Sequence, residues 1–287
     1  MPTVSIGLPV YNGSKYLEES VDSILRQSFD DFELIISDNA STDSTHDICR
    51  SIAHRDERVR LSRFERNLGA SANYNYVFGQ ASGTYFKWAA HDDLLKPDFL
   101  QACVDAHRRL GPSTAVVYPR SEFIDQHGDV THADADTQHT DSEIAAIRAY
   151  QMLQRMSMAH AVFGLFDAEL LGRTRLIGSF VSSDYVLLLQ MSLLGQIVQL
   201  DTEPLFQRRV HPDMSRVANQ TTADVLKWFD PEARTRLSEQ NRLRLEYLRS
   251  AFVVQGRPVL LRGLDALGIG AGFTVSWVRN KRGIVLR

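Results

Sequence analysis

The sequence predicts an α/β protein in which a mostly parallel sheet is flanked by helices. Over the first hundred residues, short apolar runs of strand length alternate with longer segments whose apolar residues have helical spacing. Turn-forming pairs such as Asn12-Gly13 separate these segments. Parallel strands require crossover connections, and a helix after each strand provides one. We therefore expect helices on both faces of the sheet.

Four strands and three helices are predicted in this region. Each strand is an apolar run that ends at a polar segment, and each helix carries apolar residues on one face, as at Ile48 and Ile52. Ser14 can cap the first helix. The strands span residues 4–10, 32–37, 59–61 and 85–89, and the helices span 14–27, 44–54 and 71–80.

Composition limits the class of protein. The 287 residues, of which 44% are hydrophobic, suffice for one large or two small domains, and the net charge of -3 argues against a nucleic-acid partner. Cys49 and Cys103 lie among apolar residues, which indicates buried thiols in a reducing compartment. No signal-peptide pattern opens the chain, and the longest apolar run, 186–194, is too short to span a bilayer. We expect a soluble, cytoplasmic protein.

Two adjacent acids, Asp92 and Asp93, follow the fourth predicted strand. Burial and mutual repulsion make this pair costly, and a divalent cation that carries a phosphate would offset the cost. The alternative is that both acids cap a helix that begins near Pro97. Asn12, Asp38 and Asn67 also follow predicted strands, so we expect them to share one crevice with Asp92 at the carboxyl edge of the sheet.

The usual phosphate-binding loops are absent from the sequence. No G-x-G-x-x-G follows the first strand, no G-x-x-x-x-G-K-[ST] occurs, and Pro9 lacks the backbone donor that a phosphate loop would use. What remains is a nucleotide site built from side chains and a metal, with Asp38 suited to accept hydrogen bonds from a base or ribose.

An ordered set of motifs resembles family 2 glycosyltransferases of the GT-A fold. The resemblance is close over residues 3–110 and weaker to residue 216. The matching motifs are Pro9-Val10-Tyr11-Asn12, Ser37-Asp38-Asn39-Ala40-Ser41-Thr42-Asp43, Asn67-Leu68-Gly69, Asn75, Ala81, Gly83 and Asp92-Asp93.

The resemblance implies a nucleotide-sugar site, with uridine diphosphate slightly favoured because of Asp38. It also implies Mn²⁺ or Mg²⁺ at Asp93. Ala90 replaces the leading acid of the family's Asp-x-Asp-Asp pattern, so metal binding without the donor should be weak. The residues implied to bind the nucleotide sugar are Pro9, Val10, Tyr11, Asn12, Asp38, Asn67, Gly69, Asn75, His91 and Asp92.

Two further roles in the second half follow from the resemblance. Asp184, just before the apolar segment 186–191, matches the position of the general base, although a plain helix cap is the alternative. The segment 206–215 resembles one in which His211 contacts the metal or the diphosphate, and in which Arg208 or Arg209 neutralises phosphate charge.

Other segments leave alternatives open. The polar stretch 127–139 is a loop at the edge of the acceptor site or, less favoured, a metal cluster of histidines and acids. Trp88 packs in the core or borders the site. A set of apolar residues either packs in the core, which is favoured, or lines the acceptor side of the cleft. These residues are Met152, Met156, Met158 and 163–166.

The predicted organisation is a catalytic domain over residues 1–215 and a helical extension over 216–287. The domain divides into a nucleotide-binding half, 1–110, and an acceptor-binding half, 111–215. In the extension, 222–250 reads as amphipathic helices interrupted at Asp230-Pro231, which pack on the domain or join two copies in a homodimer. The tail from 258 to 287 combines apolar residues with a basic rim, a composition that can contact an anionic membrane. The alternative is a solvated, partly helical tail.

The leading hypothesis is an inverting, metal-dependent glycosyltransferase. It would move a sugar from a nucleoside diphosphate to a hydroxyl of a glycan or lipid-linked saccharide, in the cytoplasm or at the inner face of the membrane, in polysaccharide biosynthesis for the cell envelope. The alternatives are a nucleotidyltransferase of the same fold and a sugar-nucleotide-binding protein without glycosyl transfer.

Overall fold

A twisted central sheet with helices on both faces organises the chain. The structure is a computed structural model that describes residues 1–135, 137–155, 159–214, 221–232 and 239–281, without the side chains of residues 222, 223, 239 and 275–281. The strands are β1 Val4–Val10, β2 Phe32–Asp38, β3 Val59–Arg63, β4 Tyr85–Trp88, β5 Leu94–Leu95, β6 Thr114–Tyr118, β7 Ser121–Ile124, β8 Val130–Ala133, β9 Leu165–Asp167, β10 Gln196–Gln199 and β11 Phe206–Arg209.

The helices lie where apolar residues recur at helical spacing. They are α1 Leu17–Leu25, α2 Thr45–Arg55, α3 Ala70–Gly79, α4 Phe99–Leu110, α5 Ala145–Arg155, α6 Ala168–Gly172, α7 Ser183–Leu194, α8 Thr222–Phe229, α9 Glu239–Val253 and α10 Val259–Lys281, with a 3-10 helix at His160–Phe163. In the part of the chain that the structure describes, none of them is both long and apolar enough to cross a bilayer.

The central sheet has the strand order β10-β6-β9-β4-β1-β2-β3 within the described residues. β1 pairs in parallel with both β2 and β4, and β2 pairs in parallel with β3, as the alternation of strands and helices predicts. β9 is antiparallel to both β4 and β6. The sheet is therefore mostly parallel, and it is mixed where β9 joins its two halves.

The central strands are buried on both faces, which explains their nearly continuous apolar sequences. Successive side chains of a strand point to opposite faces. Leu34 and Ile36 of β2 accordingly belong to the core under α1, α2 and α4, whereas Ile35 belongs to the core under α3, α5 and α7. Gly7 of β1 faces Val77 of α3, and its lack of a side chain lets the helix approach the strand closely.

A smaller sheet places the loop that contains Asp92 and Asp93 next to a strand that contains two arginines. Its strand order is β5-β11-β7-β8, and β5 pairs antiparallel with β11. Since β5 directly follows Asp92 and Asp93, this pairing brings both acids beside Arg208 and Arg209 of β11. The short strand also separates the acids from α4, whose N-cap is Asp98. The alternative that the acids cap this helix is therefore wrong.

Two local expectations are also wrong. Ser14 does not cap α1, because the helix begins at Leu17 with Tyr16 at the N-cap, and the backbone N–H of Ser14 donates to Asp43. The stretch 127–139 is not simply a loop, because Val130–Ala133 form β8 against β7. Within the described residues no three His, Cys, Asp or Glu side chains are grouped to hold a metal there or elsewhere, and Asp136 lies outside those residues.

The C-terminal helices pack onto the core and form the predicted helical extension. α9 packs on α7 and α10 packs on α5. The second contact is close, because a Cβ added to Gly268 would lie 2.2 Å from the carbonyl oxygen of Ala146. Tyr247, Ala251 and Ile269 are buried there. The domain boundary at Ser215 lies outside the described residues, as do Arg282 and Arg287, and the boundary stays a prediction.

Replacing Gly7 by alanine should destabilise the sheet. The new Cβ would lie 2.6 Å from Cγ2 of Val77 and 2.8 Å from the ring of Phe86, both in the core. Such overpacking costs about 1–3 kcal/mol, which urea denaturation monitored by circular dichroism would measure.

Gly79→Ala is the matched control, because a Cβ at Gly79 meets nothing within 4 Å. It should leave the free energy of unfolding unchanged or raise it by up to about 1 kcal/mol. Equal stabilities of the two variants would contradict the close packing of α3 on β1.

Candidate active site

A cavity of about 610 Å³ opens at the carboxyl edge of the central sheet. It contains the predicted crevice, because Asn12, Asn67 and Asp92 all line it. This is the place where parallel α/β sheets bind ligands. The predicted site residues that line the cavity are Pro9, Val10, Tyr11, Asn12, Asn67, His91, Asp92 and Asp93.

Asp38 lies beneath this cavity and is fully buried. One carboxylate oxygen accepts a hydrogen bond from the backbone N–H of Ser41 at 2.8 Å, and the other lies 3.2 Å from His46 and 3.3 Å from Arg63. In this structure Asp38 shapes the turn after β2, and its contact with a base or ribose stays a prediction.

Asn39, which the sequence interpretation did not single out, lines the cavity instead. Its side-chain amide donates to Asn67 at 2.9 Å and its carbonyl oxygen accepts from the backbone N–H of Leu68 at 2.9 Å. The signal available in the sequence was its position, one residue beyond the end of β2. Asn39 therefore ties the loop after β2 to the loop before α3.

Gly69 and Asn75 are placed outside the lining of this cavity. Gly69 has φ +86°, and a Cβ there would lie 2.4 Å from the carbonyl oxygen of Phe229, so a glycine lets the end of α8 approach. Asn75 both donates to and accepts from the backbone of Ile177, at 2.9 and 3.0 Å. Both residues position neighbouring segments, and their contact with a nucleotide sugar stays a prediction.

Asp93 is a buried carboxylate beside a second carboxylate. Its Oδ1 accepts a hydrogen bond from the backbone N–H of Arg209 at 2.9 Å. Burial, and then the charge of Asp92, raise the pKa of Asp93 to about 7. The site therefore holds negative charge that the surrounding protein does not fully compensate.

His211 faces the same acids. Its Nε2 lies 3.0 Å from Oδ2 of Asp92, and its ring packs on Tyr16 with the centroids 4.8 Å apart. Nδ1 of His211 is buried and has no hydrogen-bond partner among the described residues. The predicted proximity of His211 to the acid pair is thus present, although in this structure the imidazole contacts Asp92 rather than Asp93.

The two arginines of β11, Arg208 and Arg209, have different environments. The side chain of Arg209 is only 1% exposed, and its guanidinium donates to Glu19 at 2.7 Å and to the carbonyl of Asp92 at 2.9 Å. Arg208 lines the cavity and makes no hydrogen bond or ion pair with the residues that the structure describes. Arg209 lines the cavity as well, but its guanidinium is held by Glu19 and Asp92, and the contact of either arginine with a phosphate stays a prediction.

The donor set fits a divalent cation that arrives with other ligands. Carboxylate oxygens and an imidazole nitrogen are donors that Mn²⁺ and Mg²⁺ accept, and a bound cation would offset the burial and the repulsion by Asp92 that raise the pKa of Asp93. However, no group of three or more possible protein ligands is preformed within the described residues. Phosphate oxygens and water would have to complete the coordination.

A second cavity of about 400 Å³ adjoins the first. Asp184, in the first turn of α7, lines it. Desolvation raises the pKa of this half-buried carboxyl, and a hydrogen bond from the backbone N–H of Tyr185 offsets part of the effect. The N-cap of α7 is Ser182, at φ 63°, so Asp184 is not the cap. Both cavities share the walls Tyr74, Phe163, Arg208 and Trp228.

The comparisons with known proteins agree with this geometry. The family model described as "Glycosyl transferase family 2" matches residues 5–171, which is more than half of the chain. The chain belongs to glycosyl transferase family 2. It is also 30% identical over 215 residues to an uncharacterised glycosyltransferase of Rickettsia typhi, a match that covers 73% of this chain and 64% of that protein. The chain thus spans less than two-thirds of that relative's length.

Solved structures share the GT-A fold of this family 2 member. TarS of S. aureus (residues 1–349) in complex with UDP has a TM-score of 0.59 and 18% identity, and the match covers 99% of this chain and 93% of that one. The mannosyltransferase PcManGT of Pyrobaculum calidifontis, in complex with GDP-Man and Mn²⁺, has a TM-score of 0.57 and 16% identity, with coverages of 98% and 75%.

Residues behind the cavities of this family 2 member are mostly structural. Trp88 and Met152 are fully buried, as core packing requires, and Met156 and Met158 lie outside the described residues. Lys87 was not anticipated: it is buried, its ammonium donates to the carbonyl of Phe163, and burial lowers its pKa to about 7. Lys87 therefore anchors the 3-10 helix whose Phe163 lines both cavities.

Arg209→Lys should destabilise this family 2 member. A lysine cannot reproduce the fork of donors that joins Asp92 to Glu19, and the partners left behind are partly buried. We expect a loss of about 1–3 kcal/mol in the free energy of unfolding, measured by chemical denaturation.

Arg208→Lys is the control, because Arg208 has no such contacts among the described residues. Its free energy of unfolding should stay within about 0.5 kcal/mol of the wild-type value. A larger loss for Arg208→Lys than for Arg209→Lys would contradict the division of roles.

Proposed function

We propose that this family 2 member is an inverting, metal-dependent glycosyltransferase. It would move a sugar from a nucleoside-diphosphate donor to a hydroxyl of a glycan or lipid-linked saccharide. The observation that carries the proposal is the pair of joined cavities, with Asp92 and Asp93 in one and Asp184 in the other. A sugar at the junction would have its leaving group on one side and its attacking hydroxyl on the other.

The first cavity would hold the donor. Pro9, Val10, Tyr11 and Asn12 form one wall, from which the nucleoside would be bound together with Asn39 and Asn67. The TarS complex contains UDP and the PcManGT complex contains GDP-Man, so proteins of similar fold bind a nucleoside diphosphate or a nucleotide sugar. We favour uridine diphosphate as the nucleotide, because Asp38 matches the family position that contacts the base, although burial would require it to act through the turn that it shapes.

The acid pair would hold the cation and the diphosphate. Asp93, with Asp92 and His211, would supply protein ligands to Mn²⁺ or Mg²⁺, and the bound cation would stabilise the charge that develops on the leaving diphosphate. Arg208 would donate to a phosphate oxygen at the junction. Arg209 would keep Asp92 in place for binding the cation and would keep strand β11 in place for the phosphate contact of Arg208.

Asp184 would act as the general base in the second cavity. Its carboxylate would accept the proton of the attacking hydroxyl, which approaches from the side opposite the diphosphate, so that the configuration of the sugar inverts. The raised pKa of Asp184 suits this role, because a stronger base accepts the proton more readily. Tyr185, Trp228 and Phe229 also line this cavity and offer aromatic faces to an acceptor sugar.

Two alternatives can be separated by product analysis. Ala90 lines the first cavity where the family usually has an acid, which is the observation that favours a sugar-nucleotide-binding protein without transfer. Binding of the donor without transfer to any acceptor tested would support that alternative. Release of pyrophosphate from a nucleoside triphosphate and a sugar phosphate would support a nucleotidyltransferase.

Asp184→Asn should abolish transfer without weakening donor binding. The amide keeps the size of the side chain but cannot accept a proton, and loss of a general base costs about 10²–10⁴-fold in rate. Transfer would be followed by release of the nucleoside diphosphate, and donor binding by calorimetry. Wild-type-like turnover by this variant would remove Asp184 from the role of base.

The pH dependence of the wild-type enzyme provides a second readout of the same role. Only deprotonated Asp184 can act, and burial raises its pKa, so kcat should fall with decreasing pH at a pKa above the ordinary aspartate value of about 3.9. An activity that is constant down to that value would contradict the assignment.

Asp93→Asn should remove the contribution of Mn²⁺ to ligand binding. In the wild type, UDP together with Mn²⁺ should raise the thermal midpoint more than UDP alone, because a ligand that binds the native state stabilises it. The variant should keep the UDP effect and lose the Mn²⁺ increment. Without ligand its midpoint at pH 8 should be at least that of the wild type, since a buried charge has been removed. A preserved Mn²⁺ increment would exclude Asp93 as a ligand.

A further inference from the structure

Helices α9 and α10 expose a continuous series of large apolar side chains. Leu245, Leu248 and Phe252 share one face of α9, and Leu260, Leu264 and Leu267 share one face of α10, because residues three, four and seven apart lie on the same side of a helix. Leu260 is 93% exposed and Leu267 is 70% exposed, so these side chains are in water rather than at the edge of the core. This apolar face consists of Leu245, Leu248, Phe252, Val259, Leu260, Leu261, Leu264 and Leu267.

The acids whose side chains the structure describes on these two helices are turned into the protein. Between residues 240 and 274 the acids are Glu246 and Asp265. Glu246 is 6% exposed and forms an ion pair with Arg175, and Asp265 is 1% exposed and forms an ion pair with Arg257 at 2.7 Å. Neither contributes a negative charge to the surface around the apolar face.

The exposed charges beside the apolar face are positive. The same stretch contains five arginines, on a chain whose net charge is -3. Arg244 is exposed, and the side chain of Arg249 is 54% exposed. Arg262, in contrast, donates to the carbonyls of Phe252 and Arg257. Arg262 is partly exposed and its guanidinium is held by these carbonyls, so it adds a positive charge on α10.

We propose that this apolar face docks on the surface of an anionic lipid bilayer. Leucine and phenylalanine side chains on one face, bordered by exposed arginines and with no exposed acid between residues 240 and 274 of the two helices, are the composition that binds peripherally at the headgroup boundary. A second copy of the chain fits the same surface less well. Symmetric pairing of the face would bring Arg244 and Arg249 of both copies together, where like charges repel.

Helix α9, which carries part of this face, packs on the helix that contains Asp184. Tyr247 of α9 is buried on α7, and burial together with the charge of Asp184 raises the pKa of its hydroxyl. At the other end of the helix, Arg242 lies over the ring of Phe180 at 4.9 Å, next to the cavity wall at Val181. A docked chain would thus hold the Asp184 cavity near the membrane. If the proposed function is right, the acceptor is then a lipid-linked saccharide.

Vesicle sedimentation of the full chain tests the proposal. The wild type should bind vesicles of phosphatidylglycerol and phosphatidylcholine, bind pure phosphatidylcholine more weakly, and lose affinity as salt rises. The triple variant Leu260→Gln, Leu264→Gln, Leu267→Gln should lose at least about tenfold in affinity. Glutamine is a good helix former, and these positions are exposed, so the thermal midpoint should be unchanged.

The variant Val130→Ser is the matched control, because Val130 is 55% exposed and lies in β8, outside α9, α10 and the helix α5 on which α10 packs. It should bind vesicles as the wild type does. Wild-type protein that stays in the supernatant with anionic vesicles at low salt would overturn the proposal. So would a wild-type dimer that the triple variant converts to monomers without any vesicle binding.

The test also distinguishes this surface from the catalytic proposal. Transfer to a soluble acceptor should be the same in the wild type and the triple variant, since the three leucines line neither cavity. Vesicle binding without transfer would leave the surface established and the proposed function wrong. Transfer without vesicle binding would support the proposed function and overturn the proposed docking surface.

Discussion

The two adjacent carboxylates at the carboxyl edge of β4 are the constraint on which the rest of the site depends. Asp92 and Asp93 repel each other and lose hydration, and this cost has to be met by groups from elsewhere in the chain. The backbone N–H of Arg209 reaches Asp93, its guanidinium reaches the carbonyl of Asp92, and His211 reaches the side chain of Asp92. The pairing of β5 with β11 makes all three contacts possible.

The same arrangement explains why the second half of the chain completes the site. β11 carries Arg208 into the wall between the cavities, and α7 carries Asp184 into the other side of that wall. α8 covers both cavities, with Trp228 in each lining, and reaches them because Gly69 leaves room for the backbone of Phe229. The acid pair and Asp184, which come from distant segments, thus line two cavities that share one wall.

The C-terminal helices combine packing on the core with the proposed membrane-docking surface. Their buried faces close the core over α5 and α7, and their acids serve as internal ion-pair partners. Internal pairing of the acids leaves a surface of leucines and arginines, which is costly in water but favourable against anionic lipid. One pair of helices thereby meets the needs of folding and of the proposed docking.

Local patterns in the sequence determined the strands β1 to β4, their parallel order, the helices between them, and the crevice shared by Asn12, Asn67 and Asp92. Such features follow from apolar periodicity and from the rule that parallel strands end at one edge. Only the tertiary structure decided the reversed strand β9, the division of roles between Arg208 and Arg209, the burial of Asp38, and the place of Asn39 in the cavity wall. Each of these depends on contacts between segments far apart in the chain, and such contacts leave no periodic signal in the segments that make them.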